Sequence, residues 1–192
     1  MHRHAIGIVE VALVTFGAIC LGWYGGVRIA AAHAQTMMAH ELEITRVPDR
    51  TRAASAGPAI APGSPIGRIE MPRLSLSAVA REGVDERTLD LAVGHVPGTA
   101  LPGDAGNAAF AAHRDTFFRP LRHVHTGDVI TVNTPRGRFR YIVTTTRVVS
   151  PDDVSVLDPT TDPTLTLVTC YPFTYIGSAP FRFIVRAELL PR

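Results

Sequence analysis

The chain has 192 residues, 46% of them hydrophobic and 19% charged, with a formal net charge of +2. That length holds one folded domain plus a short appendage, and the composition excludes wholesale disorder. The small charge and the scatter of basic residues argue against a nucleic-acid partner. All 19 basic residues are arginine, so no lysine side chain can serve as an amine nucleophile or Schiff base.

Met1-His2-Arg3-His4 precedes an apolar run from Ala5 to Tyr24 whose only charge is Glu10. About 20 apolar residues suffice to cross a hydrocarbon core as a helix. Arg3 precedes the run, and Trp23 and Tyr24 stand where an interfacial aromatic belt would lie. The expectation is a cytoplasmic n-region at 1–4, a single membrane anchor at 5–27, and the rest of the chain outside the cell membrane. A cleaved signal peptide is the competing reading, with Ala32-His33-Ala34 as its small-x-small site. The apolar run is longer than a usual signal core and ends well before that site, which favours an uncleaved anchor. A helical stalk and a linker rich in Pro, Ala and Gly follow at 28–64.

From 65 to 192 the chain reads mostly as strands. Ile66–Met71 and Leu74–Ala80 form a first pair. Asp85–Val93 predicts one short helix, with Asp85 as N-cap and Gly94 after its end. Asn107–Ala112 is a short buried strand that ends at His113, and Thr116–Val124 a turn or short helix. Asp128–Asn133 and Arg138–Val149 make a hairpin about Thr134–Gly137. A long loop, Pro151–Pro163, precedes the last two strands, Leu165–Cys170 and Phe181–Leu189. About eight short strands with one minor helix predict an all-β fold, a closed or nearly closed barrel.

Three chemically useful side chains fall at or near the ends of separate strands: Cys170, His113 and Arg182. A thiol, an imidazole and a fixed cation are what acyl transfer through a thioester needs. Each has a plainer explanation. Cys170 is one of two cysteines, and alternation (Leu165, Leu167, Thr169 against Thr166, Val168, Cys170) allows a core thiol. A disulfide to Cys20 is disfavoured, because Cys20 lies in the apolar run. His113 is one of eight histidines, and Arg182 alone reads as a solvated edge-strand arginine. His123 and His125 have metal-ligand spacing but lack a third ligand, so they read as a surface turn. His95 reads as a turn-stabilising residue and Asp115 as a cap. Asp152, Asp153 and Asp158 read as a solvated loop, so no metal is expected.

Four segments carry a family resemblance: Gly94–Gly103, Gly106–Leu121, Thr166-Leu167-Val168-Thr169-Cys170-Tyr171-Pro172-Phe173 and Ala179–Ala187. Together they resemble the motifs of sortases, most closely the class D group, over Ile66 to the end of the chain. The resemblance implies a membrane-anchored cysteine transpeptidase with an eight-stranded barrel and no cofactor. Cys170 would attack the Thr carbonyl of a Leu-Pro-x-Thr-Gly-like sorting signal on a surface protein. A thioester would form, and an amine on a cell-wall precursor or protein would take the acyl group. His113 would be the acid and base, Arg182 the oxyanion and substrate contact, and Thr169 a further substrate contact. Two other classes compete: a different extracytoplasmic cysteine peptidase or acyl hydrolase, and a non-catalytic peptide-binding barrel. The Ser-x-Gly-Cys-x-Arg run of an L,D-type peptidoglycan enzyme is absent around Cys170.

Overall fold

Alternating apolar residues make the strands of this chain, and the computed structural model closes them into one barrel. The structure describes residues 14–18, 21–22, 60–175 and 177–191. Among these no helix is long and apolar enough to cross a membrane. The expected anchor at 5–27 lies, apart from 14–18 and 21–22, outside the described residues, as does most of the stalk and linker at 28–64.

The strands are β1 (Pro65–Met71), β2 (Leu76–Glu82), β3 (Val93–His95), β4 (Asn107–Ala111), β5 (Val129–Thr134), β6 (Gly137–Val149), β7 (Thr164–Tyr171) and β8 (Phe181–Leu189). Round the barrel they run β1-β2-β3-β4-β7-β8-β6-β5, and β5 closes back on β1. The β2–β3 and β4–β7 pairs are parallel and the others antiparallel. The interior is filled by inward residues of all eight strands, among them Ile69, Val93, Phe110, Ile130, Tyr141, Leu165 and Val185. Closure leaves no free edge at the strand pairs that carry the site.

The expected elements are present, with two differences. The second strand starts later than Leu74, because Pro72–Leu74 forms a 3-10 turn that ends at Ser75 in the left-handed region. The helix, here α1 (Glu86–Leu91), is shorter than expected and is followed by a strand. Asp85 caps it as expected, accepting from the Thr88 amide at 3.1 Å and from its hydroxyl at 2.7 Å. These bonds, the hydroxyl first, hold the Asp85 carboxyl below the usual carboxylate range. Gly94 does not end the helix. It lies in β3, where a side chain would collide with the Gly83 carbonyl oxygen.

His95 stabilises the neighbouring loop, as its sequence setting suggests. It is buried, and its Nε2 faces the Ala100 carbonyl at 2.9 Å and Thr99 Oγ at 3.2 Å. Thr99 Oγ already donates to the Val96 carbonyl, so both neighbours act as acceptors and Nε2 carries the hydrogen. Nδ1 meets the buried Glu82 carboxyl at 2.6 Å. His95→Leu strands that carboxyl and is expected to destabilise the barrel by about 3–5 kcal/mol. Urea unfolding measures this, and the Glu82→Leu/His95→Leu double variant should recover much of the loss. A single variant within about 0.5 kcal/mol of the parent would show that the pair contributes little.

His123 and His125 part company rather than converge. His123 Nε2 accepts from Arg122 at 2.9 Å, while His125 Nδ1 faces Arg73 at 3.1 Å beside the Arg73–Asp128 ion pair. Asp153 caps the 3-10 turn Val154–Leu157 through the Ser155 amide.

Candidate active site

Strand β7 sorts its own side chains. Leu165 and Leu167 enter the core and Thr169 follows them inward, so Cys170 points to the outer face with Thr166 and Val168. The core explanation of the thiol therefore fails: Cys170 is half-buried and free. Its partner across the antiparallel ladder is Arg182 of β8. Opposed residues of an antiparallel pair share a face, so the guanidinium and the thiol leave the sheet on the same side. On its other side Arg182 is in register with Val149 of β6.

Arg182 Nη1 donates to the Phe181 carbonyl at 3.1 Å and the Ala179 carbonyl at 3.3 Å. Among the described residues, its Nε and Nη2 donors take no protein partner. The strand ends that hold the pair are pinned by three rings. Tyr171 and Phe183 stack at 6.2 Å, and Phe173 meets them edge-on at 6.0 and 5.4 Å.

His113 reaches the same place by a parallel pairing. Strands β4 and β7 run in step up to Ala111 opposite Val168. Ala112 extends the ladder by donating to the Val168 carbonyl at 3.3 Å. Continued two residues past its last pair, that register would bring His113 level with Cys170. Its side chain is 40% exposed, and its Nε2 lies 3.6 Å from Oδ1 of Asp90 on α1. That separation is an electrostatic contact, too long for a hydrogen bond. It is Asp90, not Asp115, that stands beside His113, and nothing in the spacing of the sequence signals this. Among the described residues Asp115 makes no side-chain hydrogen bond.

Thr169 is turned away from the thiol. It is 2% exposed, and its hydroxyl donates to the Ala112 carbonyl at 2.7 Å. Its contribution here is to bind the strand before His113 to β7. A second network braces the outer face. Thr166 donates to Asn107 at 2.7 Å, Asn107 donates to the Val156 carbonyl at 3.0 Å, and Arg186 reaches the same carbonyl at 3.0 Å. The long loop between β6 and β7 is thereby held against the outer face of the sheet.

The arrangement brings a thiol and a guanidinium to one outer face and an imidazole to the segment just beyond β4, with the register of the strands set by the barrel. Among the described residues no cluster of His, Cys, Asp and Glu is placed to hold a metal.

A model of the sortase domain matches residues 69–190. Sortase D of Bacillus subtilis is 34% identical over 124 residues, covering 64% of this chain and 63% of its own length. Sortase A of Listeria monocytogenes is 26% identical over 134 residues, covering 68% of this chain and 60% of its own. The chain thus spans about three fifths of the length of the curated relatives it matches. Among solved structures, a Clostridium perfringens sortase D5 transpeptidase superposes with a TM-score of 0.70 at 26% identity. That match covers 83% of this chain and 99% of the other. The match spans the barrel and its three-strand site together, and the chain belongs to the sortase family.

Proposed function

We propose that this chain is a cysteine transpeptidase that cleaves a Leu-Pro-x-Thr-Gly-like sorting signal after Thr and transfers the acyl group to an amine. The observation that carries the reading is the register: Cys170 stands opposite Arg182 on one ladder, and the other ladder runs in step to Ala111 opposite Val168, two residues short of His113 and Cys170. In this reaction the Cys170 thiol gives its proton to His113 as its sulfur attacks the Thr carbonyl. A C–S bond forms, and the carbonyl electrons move onto oxygen. Arg182 receives that oxyanion with its open donors; the guanidinium keeps its charge throughout, as the role requires. As the tetrahedral species collapses, the peptide C–N bond breaks and His113 gives its proton to the leaving amine. The acceptor amine then attacks the thioester and gives a proton to His113, the C–S bond breaks, and His113 returns the proton to the departing Cys170 sulfur. Thr169 contributes through Ala112, by keeping the His113 strand in register with β7.

The substrates in this reading are surface proteins with a C-terminal sorting signal, and the acceptor is an amine of a cell-wall precursor or protein. The apolar run at 5–27 supports a single-pass anchor with the barrel on the outer side of the cell membrane.

Transfer is the property that separates this reading from a hydrolase. Incubated with Leu-Pro-x-Thr-Gly and Leu-Pro-x-Thr-Ala peptides and an oligoglycine amine, the chain is expected to yield a product in which a new amide joins the Thr to the amine. Cleavage that yields only the free Thr carboxylate, at every amine concentration, would make the protein a peptidase.

A further inference from the structure

The site has two attached sides and one tie between them. The His113 side is bonded to β7 through Thr169 and Ala112. Cys170 and Arg182 are bonded to each other by the β7–β8 ladder. The connection that leaves Tyr171 and returns at Phe181 runs from one to the other, beyond the last ladder bonds. Among the described residues, one side chain crosses by hydrogen bonds from the His113 side to that connection. Arg114, the residue after His113, donates from Nη2 to the Tyr175 carbonyl at 2.7 Å and the Gly177 carbonyl at 3.0 Å. Its guanidinium carbon also sits 5.9 Å from the centre of the Tyr175 ring.

This is not a surface ion pair. Among the described residues Arg114 has no carboxylate partner, and its Nη1 is buried with no hydrogen bond at all. Here two main-chain carbonyls and a ring hold it across the connection.

We propose that Arg114 is a positioning residue for peptide binding: a latch that ties the β7–β8 connection to the His113 segment and so fixes that connection as a wall beside Cys170 and Arg182. The inference rests on the transpeptidase reading for its effect on turnover, though the latch itself does not. Loss of the tie leaves the Cys170–Arg182 ladder and the Thr169–Ala112 bond intact. The chemistry therefore persists, while the free enzyme must order the wall each time a peptide binds. One nitrogen, Nη2, serves both carbonyls, so a lysine ammonium, with three donors, can take over the bonds.

The test compares Arg114→Met and Arg114→Lys with the parent in two measurements. The first is the rate of chymotryptic nicking after Phe173 or Tyr175 under native conditions, read by mass spectrometry. The second is KM and kcat with a sorting peptide. Arg114→Met should be nicked several-fold faster, and its kcat/KM should fall by about tenfold through KM with kcat nearly unchanged. Arg114→Lys should resemble the parent in both. Equal nicking of parent and Arg114→Met overturns the latch. Faster nicking with an unchanged KM overturns its role in binding. A fall carried by kcat alone reassigns Arg114 to the chemistry and also overturns the proposal. A parent that turns over no peptide overturns the transpeptidase reading and the KM half of this one, whereas the nicking rates still decide the latch by themselves.

Discussion

Cys170→Ala is expected to abolish both cleavage and transfer, a loss of about 10⁴–10⁶-fold, while leaving the barrel folded. The fold should survive because Cys170 lies on the outer face of β7, half-buried, with the core supplied by Leu165 and Leu167 on the other side. Removing one sulfur there opens no cavity in the barrel interior. The chemistry should not survive, because no other thiol belongs to the domain: the second cysteine of the chain, Cys20, falls in the N-terminal apolar run. Peptide cleavage by the variant, with circular dichroism and thermal unfolding as controls, checks both halves. Turnover within about tenfold of the parent would remove Cys170 as the nucleophile.

Arg182→Lys is the second large effect, and it discriminates charge from geometry. The planar guanidinium uses Nη1 to grip the Phe181 and Ala179 carbonyls. In the proposed reaction Nε and Nη2 are then left for the substrate. A lysine keeps the charge but has one nitrogen to do both tasks. The variant is expected to lose about 10²–10³-fold in kcat, the usual scale for removing an oxyanion donor. KM should change far less, because the lost interaction is strongest once the oxyanion forms. Steady-state rates with one peptide across parent and variant measure the split. A near-normal kcat would mean that a positive charge alone is sufficient and that Arg182 does not hold the oxyanion in the proposed way.

Much of this was legible in the residues. Strict alternation marks β7 and β8, and it also decides what alternation alone had left open at Cys170. Once Leu165 and Leu167 are known to enter the core, the thiol must leave it. The same alternation puts Thr169 on the face opposite Cys170, so its turned-away hydroxyl follows from the period of the strand. Strand β3 was not legible. Three residues are too few to show a period, and Gly94 after an apolar helical turn imitates a helix stop. What demands glycine there is the backbone of another segment, at Gly83. Asp90 and Arg114 were hidden for a related reason. Their partners lie on other elements, α1 against the His113 loop and Arg114 against a connection more than 60 residues away, and only the closed barrel brings them together. Glu82 and His95 likewise meet only when β2 and β3 pair in parallel. Local pattern reveals the strands and the chemistry at their ends, while the contacts that orient that chemistry are a property of closure.

The central claim is that Cys170 forms a thioester with the Thr of a sorting peptide. Intact-mass measurement after brief mixing with Leu-Pro-x-Thr-Gly and Leu-Pro-x-Thr-Ala peptides tests it most directly. The account predicts an adduct equal to the acyl fragment, mapped to Cys170 and discharged by an added amine into a new amide. A folded chain that releases peptide fragments with no adduct at any time, or whose adduct maps elsewhere, would contradict it.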